Sequence, residues 1–146
     1  MIEQRAGFYP HSYFHVGLVV ADIEAAMAQL GPALGLTFNE PHTSVYGGET
    51  IHVAYARQGP PYYELVQGSP GGRWNTERGS LMDHVGYFSE DLDADVAALE
   101  AAGLPVDIDG REHGSFFTYH RSSSTGMRVE LIAGDRYDWL MSTIQS

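Results

Sequence analysis

One stretch of this chain is written twice, and that repetition constrains the fold more than any other feature. Residues 12–30 read Ser-Tyr-Phe-His-Val-Gly-Leu-Val-Val-Ala-Asp-Ile-Glu-Ala-Ala-Met-Ala-Gln-Leu. Residues 82–99 read Met-Asp-His-Val-Gly-Tyr-Phe-Ser-Glu-Asp-Leu-Asp-Ala-Asp-Val-Ala-Ala-Leu. His15 pairs with His84, Asp22 with Asp91, Ile23 with Leu92, Met27 with Val96 and Leu30 with Leu99, each 69 positions apart (84 − 15). A single offset serves a strand, a helix cap and a helix face, so one supersecondary unit of about half the chain occurs twice.

Within the first unit, Tyr13 to Val20 is a short apolar run rich in aromatic and β-branched residues, which predicts a buried strand. Asp22 caps a helix carrying Ile23, Met27, Leu30 and Leu34 at helical spacing, with Gly31-Pro32 expected to break its last turn and the helix to end near Leu34. Residues 36–46, 49–57 and 62–67 read as three strands, separated by the turn residues Gly47-Gly48 and Gly59-Pro60-Pro61. The second unit repeats the order, with a strand over 84–89, a helix over 91–102 stopped by Gly103, and strands over 104–111, 116–121 and 127–133. The chain is thus expected to be a single domain over 1–146, with module one at 13–67, a Gly/Pro/Ser/Arg-rich linker at 68–82, module two at 83–133 and a closing helix at 135–144. Trp74 and Arg78 in the linker are expected to cover part of the fold.

The charge balance excludes several partners. All eight basic residues are arginine and the net charge is −11, so phosphate backbones and anionic membranes are repelled, and neither nucleic acid nor membrane is expected as a partner. Without lysine there is no Schiff-base chemistry and no phosphate-loop lysine; without cysteine there is no disulfide, thiolate nucleophile or zinc-thiolate site. The polar N-terminus lacks a signal-peptide core and no apolar run approaches the ~20 residues that span a bilayer, which makes a cytoplasmic location the expectation.

Four polar residues stand inside apolar strands: His15, Glu64, His84 and Glu130. Glu64 and Glu130 are 66 apart (130 − 64), close to the helix-and-strand offset, so each module offers one His from its first strand and one Glu from its last. Singly, each would be an ordinary strand residue. A buried carboxylate is costly unless paired or metal-bound, and two of them with two imidazoles form an N2O2 donor set whose charge neutralises one dication. The set predicts one divalent metal ion at His15, Glu64, His84 and Glu130, with zinc, nickel, cobalt, manganese and iron all compatible.

These motifs, His-Val-Gly followed by Asp-Ile-Glu-Ala-Ala-Met with Glu-Leu-Val closing the module, resemble the vicinal oxygen chelate superfamily over residues 14–134. The superfamily includes glyoxalase, methylmalonyl-CoA epimerase, extradiol dioxygenases and antibiotic-resistance proteins. The resemblance implies an α+β fold in which two βαβββ modules form a cupped eight-stranded mixed sheet, with the metal held by the first and last strands of both modules. It also implies a cytoplasmic homodimer. Its His-Glu-His-Glu set is most like the glyoxalase and epimerase branches, implying a metal-dependent lyase or isomerase that removes a proton next to a carbonyl through a metal-stabilised enolate. The alternatives are an extradiol-type ring-cleaving dioxygenase and a non-catalytic small-molecule binding or resistance protein.

In glyoxalase-like members a ligand glutamate serves as base, a role that falls here on Glu64 or Glu130. His52 is a further candidate catalytic residue; Glu49 and His120 are weaker ones, and His11, His42 and His113 are expected to be solvated. Strand alternation puts Tyr62 on the face of Glu64, Phe88 on that of His84 and Arg128 on that of Glu130, which makes these three the expected substrate-binding residues. The substrate class is a small oxygenated metabolite.

Overall fold

The computed structural model describes residues 12–77 and 81–146; the expectations for His11 and Arg78 lie outside the described residues. The first half runs β1 (Tyr13–Val19), α1 (Ile23–Leu34), β2 (His42–Tyr46), β3 (Glu49–Tyr55) and β4 (Tyr62–Gln67). The second runs β5 (Leu81–Ser89), α2 (Leu92–Ala101), β6 (Val106–Asp109), β7 (Phe117–Arg121) and β8 (Arg128–Ala133), and α3 (Tyr137–Gln145) follows. The eight strands form one mixed, strongly curled half-barrel sheet in the order β2-β3-β4-β1-β5-β8-β7-β6.

The centre of the sheet is the antiparallel pair β1–β5, flanked by the parallel pairs β1–β4 and β5–β8. Because a parallel neighbour needs a crossover, each parallel pair is connected through a helix. Both crossover helices start on the aspartates of the repeat: Asp22 accepts from the Ala25 amide at 3.0 Å, and Asp91 from the Ala94 amide at 3.1 Å. Each carboxylate thereby satisfies a backbone donor that the helix itself leaves unpaired.

Two faces of the sheet bury two cores. On the convex side Val20, Ile23, Ala54 and Leu65 pack with Met27 and Leu30 of α1. The concave side holds the larger, aromatic core, built on Phe14, Tyr46, Tyr55, Trp74 and Tyr119 and joined by Leu140 and Ile144 of α3. Leu140 and Ile144 lie four apart on one helical face, which seats α3 inside the cup.

Several expected elements differ in detail; the strand expected over 104–111 is only Val106–Asp109, and a 3-10 turn follows it at Gly110–His113. The expected strand over 36–46 begins only at His42; Pro41 has no N–H for a ladder, and the preceding segment touches the sheet through an isolated bridge from Phe38 to Ala56. Helix α1 ends at Leu34 as expected, where Gly35 at φ 71° turns the chain, but Pro32 does not break its last turn. Strand β5 starts at Leu81, earlier than the expected 84, so the last residues of the expected linker belong to the sheet.

Candidate metal centre

The β1–β5 register sets His15 opposite Gly86 and Gly17 opposite His84. A Cβ on Gly17 would lie 2.0 Å from His84 Cε1, and one on Gly86 would lie 2.1 Å from His15 Cε1. Each glycine of the repeated His-Val-Gly motif therefore clears the space that the other half's imidazole occupies. The rings meet edge to face, centroids 5.0 Å apart, with their Nε2 atoms 3.0 Å from each other.

The parallel neighbours bring in the carboxylates. Glu64 Oε1 is 3.0 Å from His84 Nε2 and 3.5 Å from His15 Nε2; Glu130 Oε1 is 3.0 Å from His15 Nε2 and 3.3 Å from His84 Nε2. One ligand atom from each of the four residues lies within 4.8 Å of the others, and all four side chains are buried. The set expected from the sequence is thus assembled within one chain.

The two halves support the cluster differently. Asp83 Oδ2 accepts from His84 Nδ1 at 2.9 Å, which puts the ring proton on Nδ1 and turns the Nε2 lone pair toward the cluster. Asp83 is itself held by Arg128 Nη2 at 2.7 Å. The residue before His15 is Phe14, and His15 Nδ1 has no hydrogen-bond partner among the described residues. Tyr55, directly across β3–β4 from Glu64, donates its hydroxyl to Glu64 Oε2 at 2.5 Å. Tyr119 stands across from Glu130 in the same way, but its ring packs on His84 at 4.9 Å.

Electrostatics bind the cluster together. Burial opposes charge on every member, yet the mutual attraction outweighs it. Glu64 and Glu130 hold the His15 pKa above the usual histidine value, and Asp83, Glu130 and Glu64 hold that of His84 well above it. The two imidazoles in turn hold both glutamates below the usual carboxylate range, Glu64 well below it. Burial and the neighbouring Glu64 push the Tyr55 hydroxyl well up, so it stays a proton donor.

Glu130 Oε1 is buried with no hydrogen-bond partner among the described residues, although two imidazole nitrogens are close by. A buried carboxylate oxygen left in this way is expensive, and a cation among the four converging donors removes the cost. Two neutral imidazoles and two carboxylates fit a divalent ion in both donor type and charge.

A cavity of about 110 Å³ opens directly on Glu64 and Glu130, walled mainly by the aromatic core. Of the residues expected around it, Tyr62 and Phe88 pack instead against Phe14, at 5.6 and 4.5 Å between ring centroids. Arg128 is drawn away from the cavity: its guanidinium lies over Tyr119, 4.7 Å from the ring centre, and bonds Asp83 and Asp107. It supports the partner of His84 rather than facing a substrate.

His52 is not brought to the cluster, because Ile51, Val53 and Tyr55 line the cavity and alternation turns His52 to the opposite face, where its Nδ1 meets the Thr43 hydroxyl at 3.1 Å. His120 bonds Thr118 and the Leu104 carbonyl, and Glu49 binds the backbone and side chain of Arg73. His42, expected in solvent, opens β2 and lines the cavity.

Sequence reasoning missed Tyr55, Tyr119, Asp83 and the pairing role of the two glycines. The glycine signal was present, since both recur at the repeat offset two residues after a ligand histidine. The tyrosines are 64 apart (119 − 55), an offset set by the strand pairing and hidden among loops of unequal length.

A family model described as Glyoxalase/Bleomycin resistance protein/Dioxygenase superfamily matches residues 14–119. Among curated protein sequences none matches significantly. Among solved structures, methylmalonyl-CoA epimerase from Mycobacterium tuberculosis superposes with a TM-score of 0.66 at 18% identity, covering 90% of this chain and 93% of that one. A methylmalonyl-CoA epimerase variant from Streptomyces coelicolor in complex with 2-nitronate-propionyl-CoA gives 0.58 at 22% identity, covering 84% and 96%. A mutant 4-hydroxymandelate synthase from Streptomyces coelicolor gives 0.62 at 12% identity, covering 84% of this chain and 47% of that one. At these identities the likeness is one of fold.

Proposed function

Because the chain belongs to the glyoxalase/bleomycin resistance protein/dioxygenase superfamily, we propose that it is a divalent-metal-dependent lyase or isomerase that removes a proton from carbon next to a carbonyl. The observation that carries this reading is the buried His15–Glu64–His84–Glu130 cluster at the floor of a cavity, with a carboxylate oxygen of Glu130 left without a hydrogen bond. Held by these four side chains, a divalent ion supplies an electrophile that lowers the cost of negative charge on the substrate oxygens.

The chain's own residues divide the remaining work. Glu64 is fixed by the Tyr55 hydroxyl and stays a ligand, while Glu130, whose opposite tyrosine Tyr119 packs on His84 instead, is the more readily released ligand and takes the substrate proton. The Asp83 carboxylate keeps the His84 proton on Nδ1, which preserves Nε2 as a donor. The apolar wall excludes water from the reacting carbon, strengthening each of these interactions. A positioned general base contributes roughly 10²- to 10⁴-fold, so Glu130→Gln is expected to lose activity by that order.

Two measurements test the reading. Elemental analysis of the purified protein is expected to give one divalent ion per chain, and much less in His15→Ala and Glu130→Ala; full occupancy in both variants would refute the assignment. Incubation in deuterated water with hydroxyketones, 2-oxo acids, acyl thioesters and hemithioacetals, followed by NMR, is expected to show metal-dependent C–H exchange. Oxygen uptake with catechols in place of exchange would identify a dioxygenase, and tight binding without turnover or metal would identify a binding protein.

A further inference from the structure

The cup that holds the cluster is narrowed on its concave side. Trp139, Leu140 and Thr143 of α3 form one wall of the cavity, and the opposite wall comes from the sheet and from Trp74 of the connector. Helix α3 is fastened there. Leu140 and Ile144 are buried in the core, and the Asn39 side-chain amide donates to the Thr143 carbonyl at 3.1 Å while its oxygen accepts from the Tyr55 amide at 2.8 Å. The space beside the cluster, about 110 Å³, is smaller than the roughly 150 Å³ apolar cavity that accommodates benzene.

The wall is also uncharged away from the cluster. Beyond Glu64 and Glu130 its polar groups are His42, Ser44, Thr143 and the tyrosines Tyr55 and Tyr119, and none of the described arginines contributes to it. Arg73 pairs with Glu49, Arg111 with Asp93 and Asp109, Arg121 with Asp107, Arg128 with Asp83, and Arg57 with the Ser146 carbonyl. Arg136 lies over the Phe116 ring, 4.9 Å from its centre, without lining the cavity itself. Once a dication has neutralised the two glutamates, a further anionic group in this space would be desolvated without a counter-charge.

We infer that the site takes a compact, uncharged oxygenated compound no larger than about one substituted ring, and that Trp139 on α3 sets this limit by excluding extended acyl thioesters. The inference deepens the metal-dependent reading above and rests on it for the oxygen-bearing part of the ligand. It separates this chain from the Streptomyces coelicolor epimerase variant, whose bound ligand is 2-nitronate-propionyl-CoA. Aromatic walls and a narrow cup suit a flat ring or a short carbon chain, with its oxygens directed at the floor.

The chain's only two tryptophans, Trp74 and Trp139, both line the cavity, so intrinsic fluorescence reports its occupancy directly. Zinc-loaded protein is titrated with hydroxyacetone, 2-hydroxyacetophenone and methylmalonyl-CoA, and zinc content is measured on the same samples. Saturable binding of a hydroxyketone at least 10-fold tighter than the thioester is expected. Trp139 is 52% exposed, so Trp139→Ala leaves the buried part of α3 in place, and it is expected to reduce that preference at least 10-fold. Equal or tighter binding of methylmalonyl-CoA, no saturable change with either hydroxyketone, or an unaltered preference in Trp139→Ala would overturn the inference. Zinc content separates the two readings: wild-type protein that shows no such preference at full zinc occupancy refutes the size and charge limit alone, whereas protein that takes up no zinc refutes the metal centre.

Discussion

Gly17 and Gly86 decide whether the cluster can form, because neither position tolerates even a methyl group. The Cβ of Gly17→Ala would fall within 2.0 Å of the His84 ring, and that ring is held from behind by Asp83, so it has no free rotation by which to yield. Overpacking of this kind costs about 1–3 kcal/mol. Gly17→Ala is expected to lower the thermal midpoint accordingly and to abolish metal uptake, as read by calorimetric titration with zinc; wild-type affinity in this variant would contradict the crossed arrangement. The same scale explains which site residues were legible in advance. His15, Glu64, His84 and Glu130 stand out because each is a polar residue in an apolar strand and each has a counterpart near the repeat offset. Arg128 satisfied the alternation rule too, and shares a strand face with Glu130. Periodicity reports a face, however, and not where along a curled sheet a long side chain ends; there Asp83 and Tyr119 claim the guanidinium.

Among the elements, α3 shows most clearly what amphipathic spacing can and cannot convey. Leu140, Met141 and Ile144 announce a helix with one apolar face, and the helix is there. Nothing in that spacing says that the apolar face lies against the cup, since the polar anchor that orients the helix there comes from a distant buried side chain, Asn39, in a segment that sequence reading assigned to a strand. The paired caps at Asp22 and Asp91 were legible because capping is local chemistry, and the late start of β2 was not, because Pro41 acts there against a run of strand-forming residues. Asn39→Ala would leave the Tyr55 amide without its acceptor and release the Thr143 carbonyl. The expected loss is about 1–3 kcal/mol in denaturant unfolding, with faster hydrogen exchange in α3; unchanged stability and protection would show that apolar contacts alone seat the helix.

For the whole molecule, the cluster ties stability to pH with a definite sign. In metal-free protein the histidine pKa values are raised above 6.5, so their contribution is complete below 6.5 and is lost as pH rises through the raised values. The glutamate values are lowered below 4.5, so their contribution is complete above 4.5 and is lost as pH falls through the lowered values. The metal-free thermal midpoint is therefore expected to be highest between about pH 4.5 and 6.5. Metal binding must displace the imidazole protons, so the gain in midpoint on adding zinc is expected to grow toward alkaline pH. Thermal unfolding with and without zinc across that range is the check, and a metal-free midpoint climbing steadily past neutrality would contradict it. The fit of Gly17 against His84, and of Gly86 against His15, also governs how such a chain can change over generations. A substitution that shrinks His84 lifts the prohibition on a side chain in the opposite half, at Gly17, and leaves Gly86 as confined as before. Two copies of a duplicated unit, free to diverge almost everywhere else, therefore inherit these four codons as two linked pairs, and a lineage that abandons one histidine is released to vary at one particular distant glycine.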